Sequence, residues 1–588
     1  MKTITLPTAL PQPTARNLQE AQQEILKRLI RAFVRETPGI KTIPANAVPN
    51  YTDSYKIIID QPAEIILTVN KILQPSGRAW INVIQHKENE RHNLNILDLL
   101  SLVLSIWQAS ASQIKQITAE LQNCYNCMAL AFAWEIQNMP LIHTWITLVC
   151  NTQKDLKKRR DALLYSEAIP FTGHPIHVCS KTKIGFTNED NLAYNPEFAP
   201  KVGLKILAVH RRHIIARGNF NLWQQYISQV LPISTLNDYV YFPVHPWQYQ
   251  HLLQSELYAD LLNKKELILL NDIQLHVQPT LSLRTAALPE APTLPLMHIK
   301  VPVDIQATSV KRTLSLRDLY NGLIFSDFLK QAETLVPAII NGSGRIVKDH
   351  CAAHIKADGH NRPQLSFMLR EDPLCYARNE ETMVVAAALF HTTTANPIPL
   401  LARFIHLSGM PAEQYFMQLF THLLELPMQL FLQFGIALDM HSQNSLLAFD
   451  LNYNPVALVY RDLGSIQVVK GVFPFNDELM HFEDMEATIM NNEDAFAELS
   501  HTLFDHLVQE FVLLADGYFH LDPDALWQQV GQLCIQIIDD CPAKPSVKML
   551  LKHKLQTQTW AIKPLLKMRI EERTLYTQIT NPMFNANI

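Results

Sequence analysis

Between residues 17 and 36 apolar side chains recur with a helical period, at Leu18, Ala21, Ile25, Leu29 and Ala32, flanked by Leu26, Ile30 and Phe33. That spacing predicts an amphipathic helix. The pattern then shortens to three runs of strand length, YKIIID (55–60), EIILTV (64–69) and AWINVI (79–84), the last two separated by the turn signal Pro75-Ser76-Gly77. Two long helical stretches cover about 94–138. The charged run KDLKKRRD (154–161) predicts an exposed helix face and a break, so residues 1–155 form a first α+β unit.

Residues 156–345 read mainly as strands: KILAVH (205–210), YVYFPV (239–244), LHVQPTLSLRTAAL (275–288) and HIKVPVDIQATSV (298–310). Strands in succession with few long helices predict a mainly antiparallel sheet. Over 346–588 helical patterns dominate, clearest at 380–393 and 412–434. A short hairpin, SLLAFD–NYNP–VALVYRD, interrupts them, and the chain closes on LLKMRIEERTLYTQ. The fold class is α+β in three closely packed parts, 1–155, 156–345 and 346–588.

Composition narrows the function. With 48% hydrophobic and 18% charged residues the 588-residue chain is globular rather than disordered. A net charge of −5 offers no basic footprint, which argues against nucleic acid as a partner. Only 16 glycines are present, and neither G-x-G-x-x-G nor G-x-x-x-x-G-K-[ST] occurs, which argues against phosphate sites built on glycine-rich loops. No apolar stretch follows the basic start, and the densest apolar run, Ile96–Trp107, is broken by Asp98. A membrane span needs about 20 residues, so a cytoplasmic protein without membrane contact is expected. Cys124 and Cys127 form a lone C-x-x-C before the apolar MALAFAW and read as buried structural thiols.

Four segments concentrate chemistry. TGHPIHVCSKTKIGF carries His174, His177 and Lys181, with Gly173 and Pro175 marking a turn or helix start. It reads either as a cationic, hydrogen-bonding loop for an anion or as an ordinary surface loop. In PTLSLRTAAL, taken as a strand, Ser282 and Arg284 share a face. In HIKVPVDIQATSVKRTLS, Lys300 and Thr308 fall on the polar face of an alternating strand, with Arg312 near its end. Two neighbouring strands that present Arg or Lys with Ser or Thr suit phosphate oxygens without a glycine loop. The fourth segment, ALDMHSQNSLLAFD…VYRDLGS, crowds Asp439, His441, Gln443 and Asn444 together, with Arg461 and Asp462 across a hairpin. Its carboxylate and amide oxygens are hard donors suited to Mg²⁺ bound with substrate phosphates.

Together these segments resemble the NRPS-independent siderophore synthetases, the aerobactin-synthetase-like IucA/IucC family. That family shows GHPxHPxxK, S-x-R-T, K…T-x-x-x-R, EAHxQN and a later R-D. This chain has GHPIHVCSK, SLRT, Lys300 with ATSVKR, DMHSQN and RD in the same order, with FPVHPWQYQH (242–251) a further similar segment. Two positions depart from the pattern: Val178 stands in place of a proline and Asp439 in place of a glutamate. The resemblance implies a hand-like architecture of thumb, fingers and palm. It implies ATP-dependent condensation of a polycarboxylic acid, usually citrate, with an amine or alcohol, by a homodimer. Carried over residue by residue, Ser282, Arg284, Thr285, Lys300 and Arg312 would hold ATP with His174, His177 and Lys181 near its phosphates. Thr308, Arg312, His441 and Gln443 would contact the acid and the reacting phosphate, and Asn444 and Asp462, with Asp439, would serve Mg²⁺. Two other readings compete. DMHSQNSLL followed by RDLG is similar to the D-x-H-x-x-N…D-x-G pattern of small-molecule kinases, and a non-catalytic iron-siderophore binding protein is the third.

Overall fold

The computed structural model describes residues 10–44, 53–59, 65–73, 79–87, 90–151, 155–198, 200–232, 237–253, 256–357, 360–378, 380–474 and 488–584. The first helix runs over Ala15–Glu36, started by a capping box in which Thr14 and Asn17 satisfy each other's backbone N–H groups. Its apolar stripe packs on the helix Ala111–Gln137 and on a five-stranded antiparallel meander, Lys41–Pro44, Asp53–Ile59, Ile65–Leu73, Ala79–Lys87 and Glu90–Leu94. The turn Pro75-Ser76-Gly77 lies outside the described residues.

An eight-stranded antiparallel sheet follows, ordered Ile214–Gly218, Asp349–Ala357, His360–Glu371, Met297–Lys300, Thr285–Ala287, Leu267–Pro279, Val202–His210, Tyr239–Val244. Trp223, Phe242 and Phe367 fill the core on one of its faces. The largest apolar core draws on both ends of the chain, from Phe33 and Trp134 to Phe504 and Trp560. No helix of the described residues is long and apolar enough to cross a membrane.

Four expectations change. Of the run at 154–161, Asp155–Lys158 are exposed at the start of the helix Leu156–Ala168, as expected, but Arg160 is buried, bonded to Asp372 at 3.1 Å and to the Leu288 carbonyl at 2.6 Å. Residues 280–284 do not continue a strand. Leu283 takes φ +66°, and the chain turns before re-entering the sheet at Thr285, so Ser282 and Arg284 sit on a turn rather than a strand face. The stretch 298–310 divides at Val301-Pro302, because proline supplies no ladder N–H. Met297–Lys300 belongs to the large sheet, while Val303–Ala307 joins a separate three-stranded sheet with Val310–Arg312 and Lys183–Ile184. Lys300 is therefore buried, 1% exposed, instead of lying on a solvated face, and Thr308 stands in a turn at φ +58°.

The fourth change lies beyond residue 346. Asp349–Ala357 and His360–Glu371 are central strands, and 382–385 is a strand followed by one helical turn, Ala386–Leu389, in place of a helix over 380–393. An apolar run buried on both faces has no period that separates strand from helix. The helix Ala412–Phe434 and the hairpin Ser445–Phe449/Pro455–Tyr460 form as expected.

Candidate active site

Three backbone devices aim the site. The segment 172–182 is irregular, and Gly173 takes φ +71°, where a Cβ would lie 2.7 Å from the Ser180 carbonyl oxygen. The loop 439–444 follows the long helix Ala412–Phe434 and the short strand Ile436–Ala437. Asp462 leaves the second hairpin strand at φ +82°, a left-handed backbone that a non-glycine residue keeps only when its surroundings hold it.

Asp462 is held by cations. Lys300 Nζ donates to both its oxygens at 2.8 and 3.0 Å, and Arg370 Nη2 donates to Oδ1 at 3.0 Å. Arg370 also binds Asp349 at 2.5 Å. Burial opposes charge on Asp462, but Lys300 and Arg370 more than offset it, so its carboxyl lies well below the usual carboxylate range. Thr285 pairs directly opposite Lys300 in the sheet, and its hydroxyl lies 3.1 Å from Ser282 Oγ. Arg284 donates to the Thr313 carbonyl beside Arg312. Arg312 in turn donates to Thr308 Oγ1 at 3.0 Å. Burial, with the Arg284 guanidinium nearby, pushes the Arg312 pKa down to about 10. Positive charge thus exceeds local counter-charge.

Imidazoles gather next to these cations. The His174 ring centre lies 6.1 Å from that of His177 and 5.8 Å from that of His441. In all three a backbone N–H donates to Nδ1: Cys179 to His177 at 3.0 Å, His177 to His174 at 3.2 Å and Gln443 to His441 at 3.1 Å. Each neutral ring therefore carries its proton on Nε2 and is a hydrogen-bond donor there. His177 Nε2 is buried with no hydrogen-bond partner among the described residues. Burial and then Arg312 lower the His177 pKa from 6.5 to about 4.

This shift has a stability consequence. As pH falls below about 6.5 the unfolded chain takes up a proton at this position that the folded ring refuses until about 4. Stability from His177 is present above that window and is lost as pH falls through it, at up to about 1.4 kcal/mol per pH unit. Wild type should therefore lose more urea resistance than His177→Gln between neutral and mildly acidic pH. Equal losses would contradict the shift.

Among the other predicted residues, Lys181 is committed elsewhere, its buried ammonium paired with Glu197. Asn444 donates to the Asp439 carbonyl oxygen at 3.3 Å, and Gln443 offers its carbonyl to Arg461 at 2.9 and 3.2 Å. Four further residues organise the site. Arg370 and Asp349 lie on strands that sequence patterning misread. Arg461 and Glu167 form a buried bidentate pair at 2.5 and 2.9 Å, and Glu167 also accepts the Leu281 N–H at 2.9 Å. Glu167 thereby ties the 280–284 turn to the 439–444 loop. Arg461 beside Asp462 was a visible signal, whereas Glu167 had none.

The chain is similar to several known proteins. A profile of the IucA / IucC family matches residues 162–391, and one described as Ferric iron reductase FhuF-like transporter matches 413–576. Staphyloferrin A synthase of Staphylococcus aureus (strain NCTC 8325 / PS 47) is 25% identical over 469 residues, 75% of each chain. D-ornithine--citrate ligase of the same organism is 25% identical over 345 residues, 54% of this chain and 52% of that protein. The ATP-bound aerobactin synthetase IucA from a hypervirulent pathotype of Klebsiella pneumoniae superposes with a TM-score of 0.79 at 18% identity, over 95% of this chain and 99% of that one. The stretch 162–391 thus belongs to the aerobactin-synthetase-like IucA/IucC family, and the ordered motifs and the shared fold agree with that assignment.

Proposed function

We propose that the chain is an ATP-dependent acid–amine ligase of siderophore biosynthesis. It adenylates a carboxylate of a polycarboxylic acid, citrate or a citrate derivative, and condenses the product with an amine or alcohol. The observation that carries this reading is the convergence of Lys300, Arg284, Arg312 and Arg370 on a site where Asp462 and Asp349 pair with Lys300 and Arg370, while among the described residues Arg284 and Arg312 have no carboxylate within salt-bridge distance. Such a site is completed by a polyanion.

A substrate carboxylate oxygen attacks the α-phosphorus of ATP, and the bond to pyrophosphate breaks. Lys300, Arg284 and Arg312 neutralise the approach of one anion to another and the charge that builds on the leaving group. The neutral Nε2–H of His177 donates to a phosphate oxygen. Thr308, Arg312, His441 and Gln443 hold the acid, and Ser282 and Thr285 hold the nucleotide. The amine nitrogen or alcohol oxygen then attacks the acyl carbon, AMP departs with the bonding pair, and the nucleophile loses a proton. No protein nucleophile is required, since positioning and electrostatics carry the reaction.

The carboxylate and amide oxygens of Asp439, Asn444 and Asp462 are hard donors of the type Mg²⁺ takes, although Lys300 and Arg370 occupy the Asp462 oxygens in this structure. Among the described residues no group of three His, Cys, Asp or Glu is disposed to hold a metal on its own. Magnesium instead commonly takes one or two carboxylates together with substrate phosphates. Asn444 and Asp462 would hold it, with Asp439 orienting the loop, and the ion would screen phosphate charge.

Incubation with ATP, Mg²⁺ and citrate should release pyrophosphate, and adding an amine such as hydroxylamine should release AMP with the citryl amide. ADP with a phosphorylated acid would favour the kinase reading instead. In the same assay the apparent Mg²⁺ constant should rise strongly for Asp462→Asn and much less for Asp439→Asn; equal rises would make Asp439 a ligand. The enzyme acts in the cytoplasm as a homodimer. A stable monomer in light scattering, or sedimentation with membranes on cell fractionation, would contradict those two statements.

A further inference from the structure

The segment 173–181 and the loop 439–444 are remote in sequence, and the helix Ser500–Val508 lies against both. We propose that His506 is a positioning residue, wedged between them, that keeps the phosphate-side histidines and the acid-side loop in mutual register. This rests on the adenylation reading above. The His506 ring is buried, 2% exposed. Its centre lies 4.6 Å from that of His174, edge to face at 76°, and 5.7 Å from that of His441, nearly parallel at 23°. One side chain thus touches a ring from each segment.

His506 also grips the loop backbone. Its Nε2 accepts from the Ser442 N–H at 3.5 Å and lies 3.3 Å from Ser442 Oγ. One turn earlier on the same helix, Thr502 Oγ1, which donates to the Glu498 carbonyl at 2.9 Å, also lies 3.3 Å from the Leu438 carbonyl oxygen. The loop that carries His441 and Gln443 is therefore held at its start and its middle by one helix. That helix is π-helical over Ser500–Val508, a form that recurs at functional sites because it costs hydrogen-bond geometry.

The segment is anchored on its outer side. Asp505 pairs with Arg35 and lies 3.4 Å from His501 Nδ1, and Arg31 of the first helix binds Glu510 at 2.5 Å. The charged or titratable groups that bear on His506 are His441, His501, Asp505 and Arg31, with His174 against its ring. Burial first, then the neighbouring imidazoles, hold its pKa well below the usual value, so the ring faces both loops uncharged.

The test compares wild type with His506→Ala and His506→Gln, the latter keeping an acceptor for the Ser442 N–H. Three quantities are measured: citrate-dependent pyrophosphate release, ATP affinity by calorimetry without acid, and amide hydrogen exchange. His506→Ala should lower kcat about tenfold or more while ATP affinity changes less than about threefold. Exchange should quicken across residues 438–444, and His506→Gln should recover most of kcat. A kcat for His506→Ala within about threefold of wild type would overturn the proposal. So would unchanged exchange in the loop, or a Gln variant as impaired as the Ala variant. If wild type itself releases no pyrophosphate with any polycarboxylate, the adenylation reading fails, and exchange at the Ser442 and Asn444 amides still decides whether His506 positions the loop.

Discussion

Arg312→Ala should lower pyrophosphate release about 30- to 1000-fold while leaving helix and strand content unchanged. The interaction removed is made mainly in the charged transition state, and losing a preorganised donor there costs on the order of 2–4 kcal/mol. Arg312 is suited to that work because it is kept poor in counter-charge. Its hydrogen bond to Thr308 fixes the guanidinium, and burial with Arg284 nearby lowers its pKa to about 10. Circular dichroism separates a chemical loss from a folding one. A folded variant that keeps more than about a third of wild-type turnover would remove Arg312 from the reacting phosphate.

Glu167→Gln should cost stability on the order of 3–5 kcal/mol, read as a lower urea midpoint, because it strands the buried Arg461 charge. Both partners are sealed from solvent: Glu167 is 0% exposed and Arg461 3%. Activity should fall as well, since Arg461 also holds the Gln443 carbonyl and Glu167 holds the Leu281 N–H. The double variant Glu167→Leu with Arg461→Met removes both charges and should recover part of the stability, though not the activity. An unchanged midpoint in Glu167→Gln would show that the pair does not anchor the site.

Proximity was legible where the polar residues sat in short, ordered motifs. GHPIHVCSK, SLRT, ATSVKR and DMHSQN pointed to residues that the fold does bring near one another: Lys300 beside Asp462, Arg312 beside Thr308, and His174 between His177 and His441. Lys181 shared a motif with them, yet its ammonium is spent on Glu197, a partner that no local pattern indicates. Asp439 and Asn444 do meet, but through the Asp439 carbonyl oxygen rather than its side chain.

What the sequence by itself determined are features set within a few residues. These include the amphipathic first helix with its Thr14 cap, the hairpin on either side of NYNP, and the spacing of each polar cluster. Each depends on periodicity or turn chemistry that neighbouring residues complete among themselves. Only the tertiary structure decided the rest. Whether 349–357, 360–371 and 382–385 were strands depended on partners far along the chain, because a run buried on both faces has no period of its own. The same holds for the site's supports: Arg370, Glu167 and His506 gain their meaning from contacts with Asp462, Arg461 and Ser442, made across long separations in sequence. A charge or an imidazole acquires a shifted pKa only from what burial places around it, and burial belongs to the fold as a whole.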